Sequence, residues 1–207
     1  DGREVAVAIT LSKKIHDEEE ALVIAIIKSV ARLDDRIRNL EKKASTDPLT
    51  QTFNRTEFED FCRRINLHEL RKSDLNFCVM LLDIDNFKTI NDRYGHAVGD
   101  HALAEFSQVV QRSLRDGDKL FRTGGEEFIV VATNADEEGA LAFGERIRQA
   151  VKNHTIIKGE LRFSLTCSIG ICVTDASIAD LKQAVQKADN AMYQAKHNGK
   201  DCCVLAQ

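Results

Sequence analysis

Six apolar residues in a row, Phe77 to Leu82, lead into Asp83 and Ile84 in the stretch FCVMLLDI. A run of this kind reads as a buried strand. Asp83 then stands at the strand's end, where an ionised carboxylate is expensive unless a metal ion or a hydrogen-bonded turn offsets its desolvation. A second stretch poses the same problem. In RTGGEEFIVVAT, residues 122–133, two glycines and two adjacent glutamates run directly into another apolar strand. Gly124 and Gly125 suit a tight hairpin turn that lets a ligand approach the backbone. If the two strand ends are neighbours, Asp83, Glu126 and Glu127 converge.

Three clustered carboxylates repel one another, and a pair of divalent cations is the commonest arrangement that makes such a cluster favourable. Hard oxygen ligands suit Mg2+ or Mn2+ bridging the phosphates of a nucleotide. The other reading is that Asp83 and Asp85 cap the following helix and the glutamates form a solvated hairpin tip. The residues alone leave both open.

The period changes upstream. Val23, Ile26, Val30, Leu33, Ile37, Leu40 and Ala44 recur at alternating steps of three and four, a three-heptad seam. Val, Val, Ile and Ala at a with Ile, Leu and Leu at d favour a parallel two-stranded coiled coil, and Arg36 at g faces Glu41 at the next e of the partner with opposite charge. An amphipathic helix lying on its own domain is the alternative. Pro48, the only proline, ends the heptads. The expected organisation is a remnant of an upstream sensory domain at 1–14, a coiled-coil signalling helix at 15–45, and a catalytic domain at 46–207. With Asp rather than Met as first residue, the chain reads as a piece of a longer protein. Inside the last domain, strands are expected at 77–84, 119–122, 126–133, 161–173 and 202–206, and helices at 98–114, 136–152 and 178–197.

The net charge of −4 offers no broad footprint for duplex nucleic acid, so none is expected as a partner, and an anionic ligand must be held by a few local cations. No stretch approaches the roughly 18 to 20 apolar residues of a membrane span, and no signal peptide is expected. A membrane is expected as a partner only if the upstream part supplies it. The six cysteines form no CxxC pair and no His/Cys cluster at zinc-ligand spacing. Several sit in apolar runs as small hydrophobes, which fits a reducing, cytoplasmic location.

Two longer blocks, DIDNFKTINDRYGHAVGDHAL at 83–103 and RTGGEEF at 122–128, closely resemble the two signature blocks of the GGDEF family, the diguanylate cyclases. Three more follow in family order: DPLTQTFNR at 47–55, CSIGIC at 167–172 and KADNAMYQAKHNGKD at 187–201. The resemblance extends from Asp47 to the C-terminus. It implies an α+β, palm-like nucleotide-cyclase fold, with a central, mostly antiparallel sheet surrounded by helices, here preceded by a long signalling helix. It also implies condensation of two GTP molecules into cyclic di-GMP and pyrophosphate across a homodimer.

By that resemblance, Asp83 and the backbone carbonyl of Ile84 bind the metals, Mg2+ or Mn2+ and two per active site, together with Glu126 and Glu127. Glu126 is the candidate acceptor of the proton of the attacking 3'-hydroxyl. Asn91 and Asp100 match the positions that read guanine, whose donors a carboxylate accepts and whose pattern adenine reverses. Lys88, Lys196 and Lys200 match cations that touch the phosphates or the developing charge. Position 200 is commonly Arg, and Lys keeps the charge but loses the bidentate fork. His96 lies near substrate or is a neutral packed residue. Arg115 and Asp118, in RDGD, fit the family's RxxD product site, with Arg146 as its second arginine, so cyclic di-GMP is expected as inhibitor as well as product. On residue type alone, Asn91 could equally end a helix, the lysines could be solvated, and RDGD could be a charged loop. Three other functions compete: a catalytically silent nucleotide receptor, a cyclase joining ATP to GTP, against which Asp100 argues, and a coiled-coil scaffold with a folded cap.

Overall fold

The computed structural model describes residues 28–33, 45–65, 76–133, 136–174 and 181–207. The chain divides into two units, Asp1–Ala44 and Ser45–Gln207. In the first, residues 28–33 are helical, with Val30 and Leu33 exposed. The expected strand within 1–14 and the seam positions Val23, Ile26, Ile37 and Leu40 lie outside the described residues.

The second unit is built on a five-stranded sheet. Its central strand is β1 (Phe77–Ile84), all eight residues of which are buried. On one side lie β3 (Glu127–Thr133) and then β2 (Lys119–Arg122); on the other lie β6 (Cys167–Val173) and then β7 (Cys203–Leu205). All neighbours pair antiparallel except β6 and β7, which are parallel. The mostly antiparallel α+β expectation therefore holds.

Helices cover both faces of this sheet. Cys78, Met80, Leu82 and Ile84 point into one core with Phe106 and Val110 of α3 (His96–Arg112) and Ala140 and Ile147 of α4 (Glu137–Asn153). Phe77, Val79 and Leu81 point into the other, with Phe58 and Phe61 of α1 (Arg55–Arg64) and Ala184, Ala188 and Met192 of α5 (Leu181–His197). Burial on both faces is why β1 carries no polar alternation. Three of the cysteines, Cys78, Cys167 and Cys172, are buried in this packing, and burial pushes the Cys78 thiol up to about 12, which keeps it an inert small hydrophobe.

Two helices escape the sequence periodicity because they are short. α1 buries only Phe58 and Phe61 and is started by Asn54, whose side chain accepts from the Glu57 amide. α2 (Phe87–Tyr94) buries only Phe87. Gly95, at φ +83, turns the chain between α2 and α3, so the helix expected at 98–114 begins at His96 and ends at Arg112. The strand expected at 161–173 is two strands. β5 (Leu161–Ser164) pairs with β4 (Thr155–Lys158) in a separate ribbon, and β6 starts afresh at Cys167. The break falls at Leu165 and Thr166, where the Thr166 carbonyl accepts the Asp85 amide at 2.9 Å and its hydroxyl donates to the Asp85 carboxylate at 2.8 Å. Among the described residues, no helix is long and apolar enough to cross a membrane.

Candidate active site

Asp83 of β1 lies directly opposite Glu127 of β3 in the antiparallel register, so both side chains leave the same face of the sheet at one edge. Glu126 precedes Glu127, and its carbonyl accepts the Ile84 amide at 3.4 Å. Asp83 is 4% exposed, and its Oδ2 accepts from Lys196 Nζ at 2.8 Å. Burial pushes the Asp83 carboxyl above its ordinary range, against the pull of Lys196. Glu126 is also raised, by burial and then by the Asp83 charge. The edge therefore holds three carboxylates and one lysine. Among the described residues no three His, Cys, Asp or Glu side chains are drawn together as a metal-ligand group; in this structure Lys196 holds Asp83.

The capping alternative is overturned for both aspartates. α2 starts at Asn86, which makes no side-chain cap bond. Asp85 is 6% exposed and accepts from Ser168 Oγ at 2.7 Å, Thr166 Oγ1 at 2.8 Å and the Asp201 amide at 3.0 Å. The hairpin glycines join β2 to β3. Neither Gly124 nor Gly125 has positive φ. A Cβ at Gly124 would stand 2.6 Å from Glu127 Oε2, and one at Gly125 would meet nothing within 4 Å. Gly124 leaves room beside the Glu127 carboxylate.

Asn91 is half-buried in α2, while Lys88 of α2 and His96 and Asp100 of α3 are exposed. The packed reading of His96 thus fails. Asn91 does not end its helix through its side chain, because the Gly95 amide bonds to its backbone carbonyl. Its Oδ1 instead occupies space that a Cβ at Gly99 would enter, 1.9 Å away, so Gly99 makes room for the amide. No hydrogen bond or ion pair among the described residues joins Lys88, Asn91, His96 or Asp100 to the carboxylate edge. Lys200 is half-buried, and its Nζ donates to Asn86 Oδ1 at 2.5 Å.

Arg115 and Asp118 close one turn: the Arg115 amide donates to Asp118 Oδ2 at 2.9 Å, and the Asp118 amide to the Arg115 carbonyl at 3.1 Å. Arg146 reaches the same end of α3, donating from Nη2 to the Ser113 carbonyl at 2.9 Å. The exposed Arg115 and Arg146 therefore stand at neighbouring points of one surface.

Sequence reasoning assigned nothing to Arg122 and Asp47, although both lie in the quoted blocks. Arg122 Nη1 donates to Asp47 Oδ1 at 2.9 Å, and its Nε and Nη2 reach the Gly125 carbonyl at 3.2 and 2.8 Å. The first residues of the domain are thereby tied to the glutamate hairpin. Burial alone would raise the Asp47 carboxyl, but bonds from the Thr50 hydroxyl and amide and from Arg122 hold it below its ordinary value. A lowered acid stabilises the fold above its unfolded-state pKa and loses that contribution as pH falls through the folded-state value. Arg122→Met should cost about 2 to 3 kcal/mol at neutral pH, and the cost should shrink in acid. Urea unfolding of both proteins at pH 7 and below pH ~3 checks it; an equal difference at both pH values would contradict the role given to Asp47.

Residues 44–202 match the family described as "Diguanylate cyclase, GGDEF domain". The chain is 37% identical over 171 residues to the probable diguanylate cyclase DgcT of Escherichia coli, covering 82% of this chain and 37% of that protein. It is 33% identical over 192 residues to diguanylate cyclase A of Treponema denticola, covering 91% and 51%. The chain thus spans about half or less of the length of these curated relatives. Among solved structures, it superposes on the coiled coil and GGDEF domain of DgcB from Caulobacter crescentus, a complex with c-di-GMP, with a TM-score of 0.82 and 25% identity, covering 92% of this chain and all of that one.

Proposed function

Because this chain belongs to the GGDEF-domain family of diguanylate cyclases, we propose that it condenses two GTP molecules into cyclic di-GMP, releasing two pyrophosphates. The observation that carries this reading is the carboxylate edge, Asp83 opposite Glu127 with Glu126 beside them.

Divalent ions suit this edge. Its oxygen donors are hard, and Asp83 and Glu126 are both raised, by burial first and then by neighbouring carboxylate charge, a cost that bound cations would offset. Asp83, Glu126, Glu127 and the Ile84 carbonyl would hold two Mg2+ or Mn2+ ions, which when bound supply charge neutralisation at the phosphates and acidify the 3'-hydroxyl. Glu126 accepts that hydroxyl's proton. Lys88, Lys196 and Lys200 bind phosphate oxygens, with Lys196 exchanging Asp83 for the nucleotide. Asn91 and Asp100 hydrogen-bond the guanine edge, and His96 lies beside them. An adenine would leave the Asp100 carboxylate facing an acceptor.

Each protomer holds one GTP, so two domains must face each other. A parallel coiled coil through Val23, Ile26, Val30, Leu33, Ile37 and Leu40 would hold them close and let an upstream sensor change their orientation. The decisive test incubates the protein with Mg2+ and GTP, ATP or both, and identifies products by mass spectrometry. Cyclic di-GMP from GTP alone is the expected result. A mixed dinucleotide would overturn the role of Asp100, and saturable GTP binding with no product would favour a receptor. A dimer that binds no nucleotide would favour a scaffold.

Product inhibition is the second part of the reading, supported by the Arg115–Asp118 turn and the approach of Arg146 to Ser113. Arg115 and Arg146 would grip the phosphates of cyclic di-GMP while Asp118 accepts from guanine. Arg115→Ala should raise the product concentration needed for half-inhibition by tenfold or more, about the loss of one charged hydrogen-bond pair. Unchanged inhibition would show that the site lies elsewhere.

A further inference from the structure

The chain leaves α5 through three successive left-handed residues, Gly199 at φ +102, Lys200 at φ +65 and Asp201 at φ +46. Only the glycine adopts that conformation freely; at Lys200 and Asp201 the backbone is strained and persists only where its surroundings over-determine it. Those surroundings are specific. The Asp201 amide donates to Asp85 Oδ2 at 3.0 Å, and the Lys200 amide donates to the Ala195 carbonyl at 3.1 Å. The Asp201 carboxylate takes Lys152 Nζ at 2.6 Å on Oδ2 and the guanidinium of Arg148 on Oδ1. Arg148 is itself 7% exposed and is held from its other side by Glu145. Asp85 is anchored through Ser168 of β6 and Thr166 just before that strand.

We propose that Asp85 and Asp201 are positioning residues for Lys200, joined as a strap that holds the strained turn and aims the lysine ammonium across to Asn86, beside the end of β1. Asp85 follows Asp83 by two residues and gives its carboxylate to Ser168, Thr166 and the Asp201 amide, while Asp83 takes Lys196, so the tandem aspartates divide the work: the first pairs with Lys196 and the second fixes the turn that carries Lys200. Arg148 buttresses the arrangement from α4. The cation at position 200 would otherwise hang on a flexible four-carbon stem at a helix end, with rotamer freedom to lose on each binding event. A strained turn locked by a buried carboxylate removes much of that freedom before the nucleotide arrives.

The inference rests on the proposed binding of GTP, and its test separates the two. Affinity for α,β-methylene GTP with Mg2+, measured by calorimetry on the whole chain, is compared among wild type, Asp201→Ala, Lys200→Ala and the double variant. Each single change should weaken binding about tenfold, the scale of one charged contact, and the double variant should bind no worse than Lys200→Ala alone. If the two losses multiply, or if Asp201→Ala binds like wild type, Asp201 does not act through Lys200. Asp85→Asn, which keeps the side-chain volume, offers a second route should Asp201→Ala fold poorly, with the same pattern expected. A readout without nucleotide runs alongside. Acetylation of Lys200, followed by peptide mass spectrometry against exposed Lys88, should speed up several-fold in both strap variants, and an unchanged rate would overturn the proposal. A wild type that binds no analogue would defeat the functional reading and leave the acetylation rates to decide the strap.

Discussion

Glu126→Gln should lose turnover by about a thousandfold or more while melting at a higher temperature than the wild type in metal-free buffer. The first effect combines the loss of a positioned base, about 10²- to 10⁴-fold, with the loss of a metal-binding oxygen. The second follows from the direction of the Glu126 shift. Burial and the Asp83 charge raise this carboxyl in the folded chain. A raised acid stabilises the fold below its unfolded-state pKa and loses that contribution as pH climbs through the folded-state value, so at neutral pH the ionised Glu126 opposes folding. An uncharged amide of the same size removes the opposition. Addition of Mg2+ should reverse the order, stabilising the wild type more than the variant. Thermal melts with EDTA and with Mg2+, set beside product assays, test all of this. A variant that is inactive and also less stable without metal would mean that Glu126 supports the fold instead of straining it, and retained turnover would remove it from the reaction.

What could be foreseen from the chain followed from burial. β1 and β3 are legible because both of their faces are covered, which leaves no polar residue in the run until the carboxylates appear at the ends. Those carboxylates are legible for the same reason, since ionisable groups at the mouths of buried strands demand an explanation. α1 and α2 escape the pattern because helices of ten and eight residues that bury only one or two side chains leave no period to read. The break at Thr166 was missed because its cause, Asp85, lies 81 residues earlier in the chain. Arg122 and Asp47 are separated by 75 residues, and Asp85 and Asp201 by 116. Local pattern shows that such residues are polar and nothing about whom they meet. The residues that hold the site in shape were therefore hidden, while those at the carboxylate edge could be named from family blocks.

Gly170→Ala should be the most damaging single-methyl change in the domain. Gly170 sits in β6 opposite Leu81 of the central strand, with α5 lying directly on it. A Cβ there would stand 2.0 Å from the Ala188 carbonyl oxygen and 2.2 Å from the Met192 amide nitrogen, both backbone atoms. No rotamer change relieves such a clash; the whole helix must lift from the sheet. Lifting it opens the contacts of Ala184, Ala188 and Met192 with the core and draws Lys196 away from Asp83. Ordinary overpacking costs about 1 to 3 kcal/mol, and displacement of a helix should raise that to about 4 kcal/mol or more, a drop of roughly 10 °C in melting temperature for a domain of this size. Gly144→Ala is the informative comparison. Its Cβ would meet Ile171 Cδ1 at 2.6 Å, the movable end of a side chain, so the neighbour can turn aside. Its cost should stay within the ordinary range of about 1 to 3 kcal/mol, and Gly125→Ala, which meets nothing within 4 Å, should leave melting unchanged. If Gly170→Ala melts with Gly144→Ala, α5 does not lie on β6 as closely as described, and the placement of Lys196 at the carboxylate edge falls with it.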